Sequence, residues 1–148
     1  MRKDAAMNEM NGYYFEELSV GQTATYAKTI TEADIVLFAG ISGDTNPVHL
    51  NQEYASKTMF KGRIAHGMLS AGFLSTVFGT RMPGPGAIYI SQNLRFKAPV
   101  RIGDTVVAHV ELLELIPEKK RANFKCLVKV GTTVVIEGDA SLMVPSRG

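Results

Sequence analysis

The feature that most restricts the fold is the hydrophobic pattern in the second half of the chain, where apolar and polar side chains alternate in successive runs. The apolar members are Ile88, Ile90, Leu94 and Phe96, then Val106, Ala108, Val110 and Leu112, then Ala122, Phe124, Cys126, Val128 and Val130, followed by a last run over 132–144. A period of two is typical of β-strands with one buried face, and short connections favour antiparallel pairing. An earlier strand is predicted near residues 23–30, which gives an antiparallel sheet of about five strands.

The segment before this sheet has a different pattern, because residues 67–80 carry apolar side chains on every face of a helix. Such a helix is expected to be enclosed on most sides. Pro83-Gly84-Pro85-Gly86 ends it. The sequence therefore predicts an α+β fold in which the sheet packs around one central helix at about 67–80.

A second helix is predicted to begin after Thr31, because Thr31 and Asp34 have the spacing of a capping box. It should stop at Gly43, where a left-handed residue is tolerated. Residues 43–66 then form an irregular segment with turn chemistry and short helical turns. An irregular stretch of this length in a small domain is often functional.

Composition restricts the class of protein. A chain of 148 residues is expected to form one domain, here residues 12–148 after a loose leader at 1–11. A net charge of +2 is too small for a nucleic-acid partner, and the longest apolar stretch, 35–41, is too short to span a bilayer. The N-terminus has no apolar signal region, and the single cysteine, Cys126, favours a reducing compartment. We expect a soluble cytoplasmic protein that binds neither nucleic acid nor membranes.

Three histidines are candidates for chemistry: His49, His66 and His109. His109 has no acidic partner in view and is interpreted as structural. His49 follows Asp44 by five residues, and Pro47 stiffens the turn between them. An imidazole and a carboxylate that converge on one water form a general acid/base pair. The alternative is that Asp44 only caps its own turn.

His66 and Gly67 form the second candidate, because Gly67 begins the central helix and its N–H is free to bind a carbonyl oxygen. The alternative is that Gly67 allows tight entry into the helix and that His66 packs this corner. Cys126 is interpreted as a small core residue, since it alternates inward on a strand. Five basic residues can receive phosphates, although most charges on strands are solvated: Lys61, Arg63, Arg95, Lys97 and Arg101.

Two segments, SGDTNPVH at 42–49 and GRIAHGM at 62–68, resemble the signature of MaoC-like (R)-specific enoyl-CoA hydratases. Residues 92–96, with Pro99-Val100 and Gly103-Asp104, are similar to the family's next block. The resemblance extends over residues 15–143. It implies a hot-dog fold, with the segment 43–66 overhanging the active site.

The resemblance also implies an activity, the reversible addition of water to a short- to medium-chain trans-2-enoyl-CoA. Asp44 and His49 would hold the catalytic water, and the Gly67 N–H would hold the thioester oxygen. Asn46, Ser75 and His66 are assigned to substrate binding, Asn46 by shaping the turn and Ser75 by lining the acyl tunnel. Family members form homodimers or larger assemblies and use no metal or redox cofactor, with coenzyme A present only as part of the substrate.

Other functions remain open from the sequence. Dehydration of 3-hydroxyacyl groups on acyl carrier protein would need a basic rim, for which the candidates are Arg101, Lys119, Lys120 and Arg121. A hot-dog thioesterase is disfavoured because the pair suits water addition to a double bond, and a non-catalytic acyl-CoA-binding module would need neither Asp44 nor His49. Which member of the pair moves which proton is not decided by the sequence.

Overall fold

The computed structural model describes residues 9–148, so most of the expected leader at 1–11 lies outside the described residues. A 3-10 turn at Phe15–Glu17 precedes strand β1, Thr23–Thr29. Four helices follow: α1, Glu32–Ser42; α2, Pro47–Leu50; α3, Gln52–Ser56; and α4, Gly67–Thr80. The chain ends with β2, Ile88–Phe96; β3, Thr105–Ile116; β4, Arg121–Val130; and β5, Thr133–Met143.

The strands form a single antiparallel sheet in the order β1-β3-β4-β5-β2. The predicted five-stranded sheet and the central helix at 67–80 are both confirmed. Helix α4 contacts β1, β3 and β4, which places it across one face of the sheet. This is the arrangement expected of the hot-dog fold.

The core lies between α4 and the middle strands. Alternate residues of β3 and β4 are fully buried: Val106, Ala108, Val110 and Leu112, and Ala122, Phe124, Cys126 and Val128. On the helix side, Leu74, Val77 and Phe78 are buried, and the Phe78 ring meets Phe124 edge-on at 4.9 Å between centroids. Each large side chain removed from water stabilises the fold by about 1.5–3 kcal/mol. The core therefore holds α4 against the middle strands of the sheet.

Strand β2 differs from the prediction of one buried face. It lies at the sheet edge, and Ile88 and Phe96 remain 55% and 54% exposed. A shift of register between Tyr89 and Ser91 also breaks the alternation. The period of two was correctly assigned to a strand, but it does not reveal that a strand has only one neighbour.

Helix α4 also departs from the expectation that it is enclosed on most sides. Its residues Met68, Gly72 and Ser75 are exposed and form an open stripe. Small side chains on this stripe leave space beside the exposed strand β2. Among residues 9–148, no helix is long and apolar enough to cross a membrane.

The predicted start and stop of α1 are confirmed. The Thr31 hydroxyl accepts a hydrogen bond from the Asp34 N–H at 3.2 Å, and the Asp34 carboxylate accepts one from the Thr31 N–H at 2.9 Å. At the other end, Gly43 has a φ of 79°, the left-handed conformation that ends a helix at low cost with glycine. This turn directs the chain into the irregular segment that carries the candidate site.

Candidate active site

The turn after α1 is built from short-range hydrogen bonds. The Asp44 carboxylate accepts from the Asn46 N–H at 3.2 Å, and the Asn46 side-chain oxygen caps α2 by accepting from the Val48 N–H at 3.0 Å. Pro47 occupies the first position of α2, where its missing N–H is not needed. The turn brings Asp44 and His49 to the same side of the chain, and the bond from Asn46 to Asp44 is also the turn cap that the alternative interpretation of Asp44 expects.

His49 is held in one tautomer by the backbone. Its Nδ1 lies 2.8 Å from the carbonyl oxygen of Ile64, and a carbonyl can only accept, so Nδ1 carries the proton. The lone pair of the neutral ring is then on Nε2. This atom faces Asp44 Oδ2 at 3.9 Å, with the His49 side chain 10% exposed and that of Asp44 51% exposed.

The separation of 3.9 Å between these two atoms has a chemical consequence. Both are acceptors while His49 is neutral, and the distance is too long for a direct hydrogen bond. A water molecule about 2.8 Å from each atom would bridge them at an angle of about 90°, close enough to its own geometry to donate one hydrogen to each. The pair is therefore suited to hold and orient a single water.

His66 contacts both members of this pair. Its Nε2 donates to the backbone carbonyl of Asp44 at 2.9 Å, and its ring stacks on that of His49 with centroids 3.8 Å apart. Phe38 packs on the ring at 4.8 Å, and His66 is only 2% exposed. These contacts support the packing alternative for His66, while its substrate-binding role stays a prediction.

Ligand atoms of Asp44, His49 and His66 lie within 4.8 Å of one another, which is close enough to consider a metal ion. The two rings, however, are nearly parallel, with an interplanar angle of 27°. An ion bound by both imidazoles would need to lie in both ring planes, and one nitrogen of each ring already donates to a backbone carbonyl. The arrangement fits a water better than a shared metal ion.

Helix α4 begins at Gly67 beside this group, and its first N–H is not needed by the helix. A cavity of about 530 Å³ lies there, and its lining includes Asp44, His66 and Gly67 as well as Phe96 and Val100. A Cβ at Gly67 would lie 2.7 Å from the Phe96 ring, so glycine is required for this close approach. His49 does not itself form part of the wall, so the pair meets the cavity through Asp44.

Two further residues of the cavity were not singled out by the sequence. Phe96 was assigned to a buried face, but its ring covers the start of α4. Ser70 is 1% exposed, and its hydroxyl has no hydrogen-bond partner among the described residues. The Nδ1 of His66 is likewise buried, and within residues 9–148 it has no hydrogen-bond partner. The only available signal was that Ser70 lies one helical turn after Gly67.

Ser75 and Asn46 do not line this cavity. Ser75 lines a second cavity of about 380 Å³ between α4 and β2, and Met68 lines both cavities. Asn46 is exposed and uses its side-chain oxygen to cap α2, in agreement with a role in shaping the turn. Their assignment to substrate binding stays a prediction.

The two residues interpreted as structural have structural contacts. His109 Nδ1 lies 3.0 Å from the Thr25 hydroxyl on the neighbouring strand. Cys126 is fully buried, and this burial raises the pKa of its thiol to about 11. A thiol that stays protonated at neutral pH is a poor nucleophile. Neither residue contacts the candidate site.

Comparison with known proteins shows what the chain is similar to. The family model for the MaoC like domain matches residues 17–137. The chain is 62% identical over 136 residues to the (R)-specific enoyl-CoA hydratase of Rhodospirillum rubrum, covering 92% of this chain and 94% of that protein. It is 52% identical over 139 residues to the 3-hydroxybutyryl-CoA dehydratase of Methylorubrum extorquens, covering 94% and 88%. The solved R-hydratase PhaJ1 of Pseudomonas aeruginosa matches with a TM-score of 0.85 and 46% identity, covering 90% and 86%.

Proposed function

The chain belongs to the family of MaoC-like domains, and from this premise we propose that it is a reversible (R)-specific enoyl-CoA hydratase. The substrate would be a trans-2-enoyl-CoA of short to medium chain length, and the product an (R)-3-hydroxyacyl-CoA. The observation that carries the proposal is the pair of acceptors on Asp44 and His49, 3.9 Å apart at the edge of a cavity that also contains the start of α4.

The proposed reaction divides between these two features. Water held by the pair adds to C3, and His49 Nε2 takes its proton because the bond from Nδ1 to Ile64 leaves the lone pair on Nε2. The electrons of the double bond move to the thioester oxygen, where the Gly67 N–H would stabilise the growing negative charge. One such donor is worth about 3–4 kcal/mol in comparable sites. The pair then returns the proton to C2, with Asp44 as the relay.

The proposed path of the acyl chain runs between the two cavities. Met68 lines both, so a chain with its thioester at Gly67 can extend past Met68 toward Ser75. The second cavity has a volume of about 380 Å³ and lies beside Ser75. This supports the proposed place of Ser75 in the acyl tunnel.

The alternative function, dehydration on acyl carrier protein, required a basic rim. Arg101 precedes β3, whereas Lys119 and Lys120 follow it and Arg121 begins β4. A strand of 12 residues separates the two groups by more than about 30 Å, since each residue of a strand adds about 3.4 Å. One protomer therefore has no single rim made of these four residues, which favours coenzyme A as the carrier.

We propose that the protein is a homodimer or a larger homo-oligomer. Strand β2 presents an unpaired edge with exposed Ile88, Ile90 and Phe96, and long apolar edges of this kind are normally covered. Pairing of β2 with the same strand of a second copy would extend the sheet across both protomers. It would also cover the exposed stripe of α4 and enclose the second cavity.

The proposed chemistry requires only an imidazole, a carboxylate and a backbone N–H, so we propose that the enzyme uses no resident metal or redox cofactor. A net charge of +2 supports a protein with neither a nucleic acid nor a membrane surface as partner. The single thiol, buried at Cys126, supports a cytoplasmic location.

Hydration of crotonyl-CoA and longer trans-2-enoyl-CoA thioesters tests the proposal. We expect the conjugated enoyl absorbance to disappear, and chiral analysis to show the R product. An S product would contradict the stereochemistry. Binding of the thioester without loss of absorbance would favour an acyl-CoA-binding module, and release of free thiol from a saturated acyl-CoA would favour a thioesterase. Equal or faster turnover on a carrier-protein substrate would favour the alternative carrier.

A further inference from the structure

Arg63 connects the two helices next to the catalytic pair. Its Nη1 lies 2.9 Å from Glu32 Oε2, and its Nη2 donates to Glu32 Oε1 at 3.0 Å. Its Nε donates to the backbone carbonyl of His49 at 2.6 Å. Glu32 is the first residue of α1, whose end leads through Gly43 to Asp44. One guanidinium therefore joins the helix that leads to Asp44 to the helix that contains His49.

His49 depends on such contacts because α2 is only one turn long, from Pro47 to Leu50. A single turn has little stability of its own, since nucleating a helix costs more than one hydrogen bond returns. The adjoining segment supplies three bonds: Arg63 Nε to the His49 carbonyl, the Ile64 N–H to the Val48 carbonyl at 3.2 Å, and His49 Nδ1 to the Ile64 carbonyl. Residues 63 and 64 thus hold the turn that carries His49, and the Ile64 carbonyl orients its ring.

The sequence allowed a different role for Arg63, that of a phosphate ligand. Its side chain is only 16% exposed, its charge is paired in a bidentate manner with Glu32, and it does not line the cavity. A guanidinium with these partners has little capacity left for a phosphate. The observed contacts fit a fixed support better than a ligand for coenzyme A.

We propose that Arg63 is a positioning residue, which keeps His49 Nε2 facing Asp44 so that both can hold the same water. This inference rests on the proposed function, because it assumes that the pair performs the water addition. Lysine cannot replace arginine here, since one ammonium cannot donate both to the His49 carbonyl and, in parallel, to the two oxygens of Glu32.

The test compares Arg63→Lys with the wild type on crotonyl-CoA and on crotonyl-dephospho-CoA. We expect kcat to fall by about 10- to 100-fold, because a displacement of His49 Nε2 by about 1 Å has an effect of this size. KM should change by less than about twofold. The loss should be the same for both thioesters. The matched control is Arg147→Lys, because Arg147 also pairs with a carboxylate, Glu17 at 3.4 Å, but has no contact with the site; its kcat should be unchanged.

Two results would overturn the inference. One is a wild-type kcat in Arg63→Lys. The other is a rise in KM at constant kcat that disappears with the dephospho thioester, because it would make Arg63 a phosphate ligand. If Arg63→Lys does not fold, the test uses Glu32→Gln instead, because Glu32 is 57% exposed and its substitution should not disturb folding. Glu32→Gln should lower kcat by about threefold at constant KM. An unchanged kcat in Glu32→Gln would contradict the proposal.

A second measurement separates this inference from the proposed function. The chain has three histidines, so the ¹⁵N resonances of their rings can be assigned by substitution. We expect His49 to carry its proton on Nδ1 in the wild type and to populate both tautomers in Arg63→Lys. An unaltered tautomer would contradict the positioning role. A wild type without hydratase activity would instead refute the proposed function, whatever the spectra show.

Discussion

The imidazole rings of His49 and His66 are stacked with their centroids 3.8 Å apart, and His66 also donates to the Asp44 carbonyl. One buried side chain thus supports both members of the proposed catalytic pair. The stacking restricts rotation of the His49 ring, while the hydrogen bond fixes the backbone from which the Asp44 side chain extends. The geometry of the pair therefore depends on a residue that does not itself need to touch the substrate.

Substitution of His66 by Phe should separate these two contacts. Phe retains the stacking and removes both the bond to the Asp44 carbonyl and the buried, unpartnered Nδ1. Loss of the hydrogen bond should lower the free energy of unfolding by about 1 kcal/mol, and removal of the unpartnered nitrogen should raise it by about the same amount. The melting temperature should therefore change little. We expect kcat for crotonyl-CoA to fall by about tenfold through displacement of Asp44. An unchanged kcat would show that this bond is not needed.

Asp44→Asn and His49→Gln should each lower kcat by about 10²- to 10⁴-fold, the usual contribution of a general acid or base. Asn retains the size of the half-exposed Asp44 side chain, and Gln can still donate to the Ile64 carbonyl in place of Nδ1. Circular dichroism and thermal melting should therefore resemble the wild type. Full enoyl-CoA hydration by either folded variant would contradict the proposed roles.

Gly67→Ala should disturb the start of α4 through Phe96. The added Cβ would lie 2.7 Å from two ring carbons, so the exposed ring must move, and it would move within the cavity proposed to receive the thioester. We expect kcat/KM to fall by about tenfold or more. In the Phe96→Leu background, Gly67→Ala should cause a smaller loss of kcat/KM than it causes in the wild type. If the two losses are additive, the steric explanation is wrong.

Ile90→Asp should prevent assembly if β2 forms the dimer interface, because it places a carboxylate on the apolar edge of each copy. The mass in solution, measured by light scattering, should fall from that of an oligomer to that of one chain. Leu113→Asp is the matched control, since Leu113 is also exposed but lies on β3, which has a neighbour on each side. A monomeric wild type, or loss of assembly in the control alone, would contradict this interface.

The Cys126 thiol should not react in the folded protein. Burial raises its pKa to about 11, so at pH 8 it is protonated and shielded from the reagent. We expect no labelling by a thiol-specific disulfide reagent under native conditions and one equivalent after unfolding in guanidinium chloride. Rapid labelling of the native protein would show that β4 opens locally.

Much of the fold could be predicted because its signals are local. The capping box at Thr31 and Asp34, the stop at Gly43 and the helix from Gly67 to Thr80 each depend on residues close together in the chain. The Asp44–His49 pair was found for the same reason, since one turn holds both. Short-range hydrogen bonds are encoded by neighbouring residues and leave a pattern that can be read from them.

The features that the sequence did not reveal depend on distant partners. The exposure of β2 follows from its place at the sheet edge, and alternation has the same form in an edge strand as in a central one. Arg63 pairs with Glu32, which is 31 residues away in the sequence, and Phe96 covers Gly67, which is 29 residues away. The sequence shows no partner for Arg63 close in the chain and so left a phosphate-binding role open, although its charge is paired with Glu32 in the structure.

The separate origins of the segments that line the cavity have an evolutionary consequence. Asp44, His66 and Gly67 come from one continuous stretch, whereas Phe96 and Val100 come from the end of β2 and the loop after it. Mutations in the second segment can thus change the shape of the cavity without replacing Asp44 or His49, the proposed proton-transfer pair. Descendants of such a protein can diversify in what the cavity accepts while retaining that pair.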